Sequence, residues 1–149
     1  MATVEMTVTP LPAHVRTARL VATAVARRSG VAEALLDEVR LAVGEACSRA
    51  VEVHQEHCPA EPVRVALTGT EKRFEVVVTN TAATDGGMEW SAISDPGPDG
   101  QGLPGELGLA VIAGLADDVQ VSRTGDGLSI RMSWPAEDAD ADGRAQAAR

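Results

Sequence analysis

Val4, Met6 and Val8 alternate with Glu5, Thr7 and Thr9, the period-two pattern of a half-buried strand. Pro10 and Pro12 end it. From Ala13 to Arg28 the spacing changes: Val15, Ala18, Ala22 and Val25 recur at helical intervals, and Ser29-Gly30 supplies a C-terminal stop. A second helix is predicted from about Val31 to about His54, with Leu35, Val39, Ala42, Val43, Ala46, Ala50 and Val53 on one stripe that must meet a core. After the turn-like Cys58-Pro59-Ala60-Glu61-Pro62, two alternating runs, Val63/Val65/Leu67 and Phe74/Val76/Val78, read as a β-hairpin around Gly69-Thr70-Glu71-Lys72. Residues 81–106 are rich in Gly and Pro with little periodicity, which marks a lid or a disordered segment. Leu107, Val111 and Leu115 then predict a short third helix, and Val119 to Val121 pairs with Leu128 to Trp134 across Gly125-Asp126-Gly127.

The predicted order is strand, helix, helix, hairpin, long loop, helix, hairpin. Strands and helices do not strictly alternate, so an α+β architecture is expected: a two-layer sandwich of a mixed, mostly antiparallel sheet with helices on one face. At 149 residues the chain is one domain's worth, placed at residues 1–135. Residues 136–149 are small and charged with no core-forming stripe, and read as a disordered acidic tail.

Charge narrows the function. The formal net charge of −9 opposes direct nucleic-acid binding, which draws its affinity from clustered Lys and Arg. With no signal-peptide pattern at Met1-Ala2-Thr3-Val4-Glu5 and no apolar run of about 18 residues, a soluble cytoplasmic protein without membrane attachment is expected. Cys47 and Cys58 form neither a disulfide framework nor a metal pattern, and His54, His57 and Cys58 lack a fourth zinc ligand. Against the acidic background, Arg16, Arg19, Thr23 and Arg27 make a basic stripe on the first helix, either a solvated face or a docking surface. On the second helix Glu45 and Arg49 stand four residues apart and are neighbours on one side.

This order, with Glu45-Ala46-Cys47-Ser48-Arg49-Ala50 and Gly105-Glu106-Leu107-Gly108-Leu109-Ala110-Val111-Ile112, resembles the GHKL (Bergerat-fold) ATPase superfamily. Within it the chain is most similar to the small anti-sigma factor serine kinases of bacterial partner-switching systems, over roughly residues 3–134. The family pattern Glu-Ala-x-x-Asn-Ala is matched at Glu45, Ala46 and Ala50 and broken at Arg49. The resemblance implies that Glu45 is the general base for serine phosphorylation, a task suited to a carboxylate at hydrogen-bond distance. It places Arg49 where an Asn would hold magnesium; a guanidinium has five donors and no acceptor and cannot ligate a metal. Arg49 would fold back onto Glu45 or contact phosphates directly. Asn80 stands where relatives carry an Asp that accepts from the adenine amino group, and Asn retains a carbonyl acceptor. Gly105 and Gly108 match the glycines that open the family's phosphate-facing helix, with Glu106 adding a negative charge among them.

What the resemblance implies is an anti-sigma factor-like regulator that binds an anti-anti-sigma protein of the STAS type, a sigma factor, or both. Nucleotide binding would be weakened or lost and no cofactor retained. Partner contact would fall on Arg19, counted back without gaps from Glu45, with Arg16 the near alternative, and the protein would be a homodimer. The alternative is an active serine kinase using ATP and magnesium to phosphorylate an anti-anti-sigma protein; a third reading is a scaffold bound to one stable partner.

Overall fold

Gly30, at φ 97°, ends the first helix in the left-handed conformation that glycine adopts most readily. Its N–H donates to Arg27 O and that of Val31 to Ala26 O at 3.0 Å, the paired bonds of a Schellman stop. The computed structural model describes residues 2–70, 72–81, 104–124 and 127–137. Along them run β1 (Ala2–Val8), α1 (Pro12–Arg28), α2 (Glu33–His57), β2 (Val63–Gly69), β3 (Arg73–Asn80), α3 (Pro104–Leu115), β4 (Asp118–Thr124) and β5 (Gly127–Pro135). Most of the predicted long loop, residues 82–103, lies outside the described residues.

The strands form one sheet in the order β1-β2-β3-β5-β4. All four pairings are antiparallel. Alternation decides which face is covered. Val63, Val65 and Leu67, then Phe74, Val76 and Val78, then Leu128, Ile130, Met132 and Trp134 all point into one core. Register stacks them in rows, with Val76 opposite both Leu67 and Met132, and Val78 opposite both Val65 and Ile130. α1 and α2 pack on each other and on this face, and α3 packs against α2. The other face is polar, where Arg131 meets Glu75 at 3.4 Å across neighbouring strands. The α+β two-layer architecture expected from the pattern is therefore the one present.

Differences in detail have local causes. On α1 the buried row is Val15, Ala18, Ala22 and Ala26, with Val25 half-buried, because small alanines let α1 lie close against α2. Among the described side chains of α3, Ile112 is fully buried and Leu115 packs half-buried against the core, whereas Val111 is 42% exposed. α3 begins at Pro104, taking in residues assigned to the loop from sequence; proline suits a first helical turn because its missing N–H has no partner there. The domain also continues past residue 135. The N–H of Ala136 donates to Lys72 O, and that of Glu137 to Gly30 O, both at 2.9 Å, so two residues assigned to the tail are part of the fold. Residues 138–149 lie outside the described residues.

Candidate nucleotide and partner site

The residues singled out from sequence sit on α1, α2, the end of β3 and the start of α3, and those on α1 and α2 form two groups joined through Glu52. The first gathers where α1 crosses α2. Arg19 is half-buried because Gly44 offers it no side chain: a Cβ there would stand 2.5 Å from Arg19 Cδ. A cleft of about 290 Å³ results, lined by Arg19, Glu45, Ser48 and Glu52 among others. Glu45 is half-buried in its wall, so the predicted general base and the predicted partner-binding arginine share one opening. Arg16 is exposed and stands outside that lining. Beyond it on α1, Arg27 makes a loose 3.6 Å pair with Glu33.

The second group surrounds Arg49. The i to i+4 pairing with Glu45 is not what forms: Arg49 Nη1 donates to Glu52 Oε2 at 2.8 Å, one turn further along. Arg49 is only 14% exposed while Glu52 is 61% exposed, so the helix draws the cation inward and leaves the anion at the rim. Arg49 Nε is buried and has no hydrogen-bond partner among the described residues. This environment does not fit magnesium, since the side chain at that position supplies donors and a positive charge where a metal requires oxygen acceptors.

Asn80 is buried at the end of β3, opposite Leu128, and its Oδ1 accepts from Leu128 N at 3.4 Å. Next to it is a polar clamp that the sequence pattern did not reveal. Fully buried His54 accepts from Thr81 N–H at Nε2 (3.0 Å), which requires Nδ1 to carry the proton and donate to Glu61 O (2.8 Å). Thr81 Oγ1 in turn donates to Glu61 Oε2 at 2.8 Å. With both ring nitrogens engaged, His54 is no zinc ligand, and among the described residues no His, Cys, Asp and Glu cluster has metal-binding geometry. Gly105 and Gly108 lie in the first turns of α3, the helix that packs on α2.

The two thiols differ in environment. Burial pushes Cys47 up to about 12, with the positive charge of Arg19 opposing the shift. Cys58, at the end of α2, is raised by partial burial and then by the Glu61 carboxylate. Since the thiolate is the nucleophile, Cys58 is expected to alkylate slowly in the folded protein and faster as pH rises, while Cys47 reacts only after unfolding. Peptide mass spectrometry after iodoacetamide treatment checks this; equal labelling of both in the folded state contradicts it.

An antiparallel sheet covered on one face, with a carboxylate-bearing helix beside the strand that carries Asn80, defines an ATPase-like α+β domain. Residues 8–134 match the histidine kinase-like ATPase domain, and the chain belongs to that family. No curated protein matches the chain. Among the described residues no helix is long and apolar enough to cross a membrane.

Proposed function

We propose that this chain is an anti-sigma factor-like regulator of a partner-switching system, docking a STAS-type anti-anti-sigma protein, a sigma factor, or both. Nucleotide binding is weakened or lost in it, and magnesium-dependent phosphoryl transfer with it. The observation that carries this reading is Arg49, a largely buried cation tied to Glu52 at the family's metal-ligand position. The α1–α2 cleft is the docking surface, with Arg19 at its centre and Arg16 at its rim. Function as a homodimer in the cytoplasm belongs to the same proposal. One observation favours the kinase alternative: Glu45 lines an open cleft and forms no ion pair among the described residues. A carboxylate so placed could accept a serine proton.

Two variants test the docking surface. Arg19→Ala is expected to weaken affinity for a purified STAS-type or sigma partner about tenfold or more, as truncating a partly desolvated charged contact does, equivalent to about 1.4 kcal/mol. Gly44→Ala displaces Arg19 by the 2.5 Å approach of its Cβ, yet removes a helix-interior glycine worth about 1 kcal/mol of propensity. It is expected to lose affinity without losing stability, which separates docking from folding. Unchanged affinity and association rate in both variants remove the cleft from the interface. Transfer of the γ-phosphate of ATP to the partner serine would establish the kinase reading instead.

A further inference from the structure

Cations gather at the point where the last described residue, Glu137, meets the fold. Its N–H donates to Gly30 O at 2.9 Å, and Gly30 in turn closes α1 through Arg27 O. The approach is close: a Cβ on Gly30 would collide with the Glu137 carbonyl, so glycine is required there by contact as well as by its φ. Residue 138 therefore starts at the C-terminal end of α1, beside Arg27 and Arg28 in its last turn. Lys72, whose carbonyl accepts from Ala136 N–H at 2.9 Å, is exposed as well. Arg16, Arg19 and Arg28 form no ion pair among the described residues, and Arg27 has only its loose 3.6 Å contact with Glu33. The sequence that follows is acidic: Asp138, Asp140 and Asp142 alternate with Ala139 and Ala141 directly after Glu137. From 138 to 149 no apolar side chain is larger than alanine, so this stretch has little to bury and gains chiefly from charge.

We propose that residues 138–142 of this chain lie back along α1 and occupy its basic face, from Arg27 towards Arg16. The dimensions agree. In an extended chain alternate side chains project from one side, so the three aspartates form one row about 7 Å apart. A helical turn advances about 5.4 Å, and Arg16, Arg19, Thr23 and Arg27 follow one another along a single stripe at that spacing. The extended run from Glu137 to Asp142 spans about 17 Å, as does the helical path from Arg27 back to Arg16. Each exposed carboxylate–guanidinium pair is weak by itself, and the loose partner Glu33 is readily exchanged. Attachment at Glu137 makes the encounter intramolecular, which raises the effective concentration of the run and lets several weak pairs act together. The acidic run is then the resident occupant of the surface assigned above to partner docking, and whatever contacts Arg16 and Arg19 must displace it. That regulatory consequence rests on the docking reading; the contact with α1 does not.

The experiment compares the full chain with two variants by nitrogen-resolved NMR of the backbone amides and arginine Nε–H groups of α1. One variant carries Asp138→Asn, Asp140→Asn and Asp142→Asn. The control carries Glu5→Gln, Glu56→Gln and Asp118→Asn, exposed positions outside α1 that change the net charge of −9 by the same amount. At low salt the first variant is expected to shift the signals of Arg16, Arg19 and Arg27, and the control to leave them in place. In about 1 M NaCl, where screening acts within about 3 Å, the wild-type signals are expected to move onto those of the first variant. Fluorescein-labelled hexaglutamate, followed by anisotropy at low salt, is expected to bind the first variant about tenfold more tightly than the control, because only there is the face vacant. Thermal unfolding confirms that the three proteins share one fold. Arginine signals that ignore the neutralised run, or respond equally in the control, overturn the inference. So does a response confined to Lys72 and Arg28, or equal hexaglutamate affinity in the two variants. No docking partner is present, so failure here leaves the docking proposal standing. If the run does contact α1 and Arg19→Ala leaves partner affinity unchanged, the docking reading alone falls.

Discussion

Replacing His54 with Ala is expected to lower the unfolding free energy by about 4 kcal/mol, a large share of the roughly 5–15 kcal/mol that holds a domain together. The side chain is fully buried and accepts from Thr81 N–H while donating to Glu61 O, so its removal leaves two backbone groups unpaired as well as a cavity. Each orphaned group costs about 1–3 kcal/mol, and the lost ring packing adds a further share. Thr81→Val is the contrasting variant. It keeps the Thr81 N–H bond to His54 and deletes the hydroxyl contact with the exposed Glu61 carboxylate, so its cost should stay within about 1 kcal/mol. Urea denaturation of the two variants decides the matter; equal destabilisation would mean that His54 merely fills space. The clamp fixes Thr81 directly after Asn80, the last residue of β3.

Trp134→Ala is expected to cost a similar amount, about 4 kcal/mol, by a different route. Trp134 is 1% exposed on β5, its ring lies 6.2 Å from that of Phe74, and its Nε1 donates to Leu115 O at 3.0 Å. That hydrogen bond satisfies a carbonyl at the C-terminal end of α3, where the helix itself supplies no donor. Trp134→Phe retains most of the apolar contact and loses the bond, so it should cost about 1–2 kcal/mol. Denaturation midpoints measured with an unchanged denaturant slope would support this. If Trp134→Phe proves as damaging as Trp134→Ala, the tie to α3 outweighs the packing of the indole.

These two contacts and Arg49 share a theme. α2 lines the α1–α2 cleft and carries Arg49, paired with Glu52 at the rim of that cleft, while His54 at its far end ties it to Thr81, directly after the strand bearing Asn80. Arg19 lies in the cleft, within reach of the field at Cys47, because Gly44 admits it. Glu52 belongs to both regions, lining the cleft and pairing with Arg49, so one carboxylate joins them.

By itself the sequence determined the strand faces, the two long helices and the end of α1. Those features are local: alternation of Val63, Val65 and Leu67 sorts side chains to one face whatever the strand pairs with, and Ser29-Gly30 ends a helix through its own backbone. It also placed Glu45, Arg49 and Asn80 on their elements, since motif spacing is a one-dimensional property. Only the tertiary structure decided that β3 pairs with β5 and not with β4, that Ile112 and not Val111 enters the core, and that Arg49 chooses Glu52 over Glu45. Glu45 and Glu52 are both within helical reach of Arg49, so spacing alone cannot select between them; the packed helix does, holding Arg49 largely buried with its Nη1 on the exposed Glu52. The role of His54, which the sequence offered only beside His57 and Cys58 as an incomplete zinc set, was not legible for the same reason. A lone histidine near a helix end carries no pattern, and its role exists only because Glu61 and Thr81, distant in sequence, close around it.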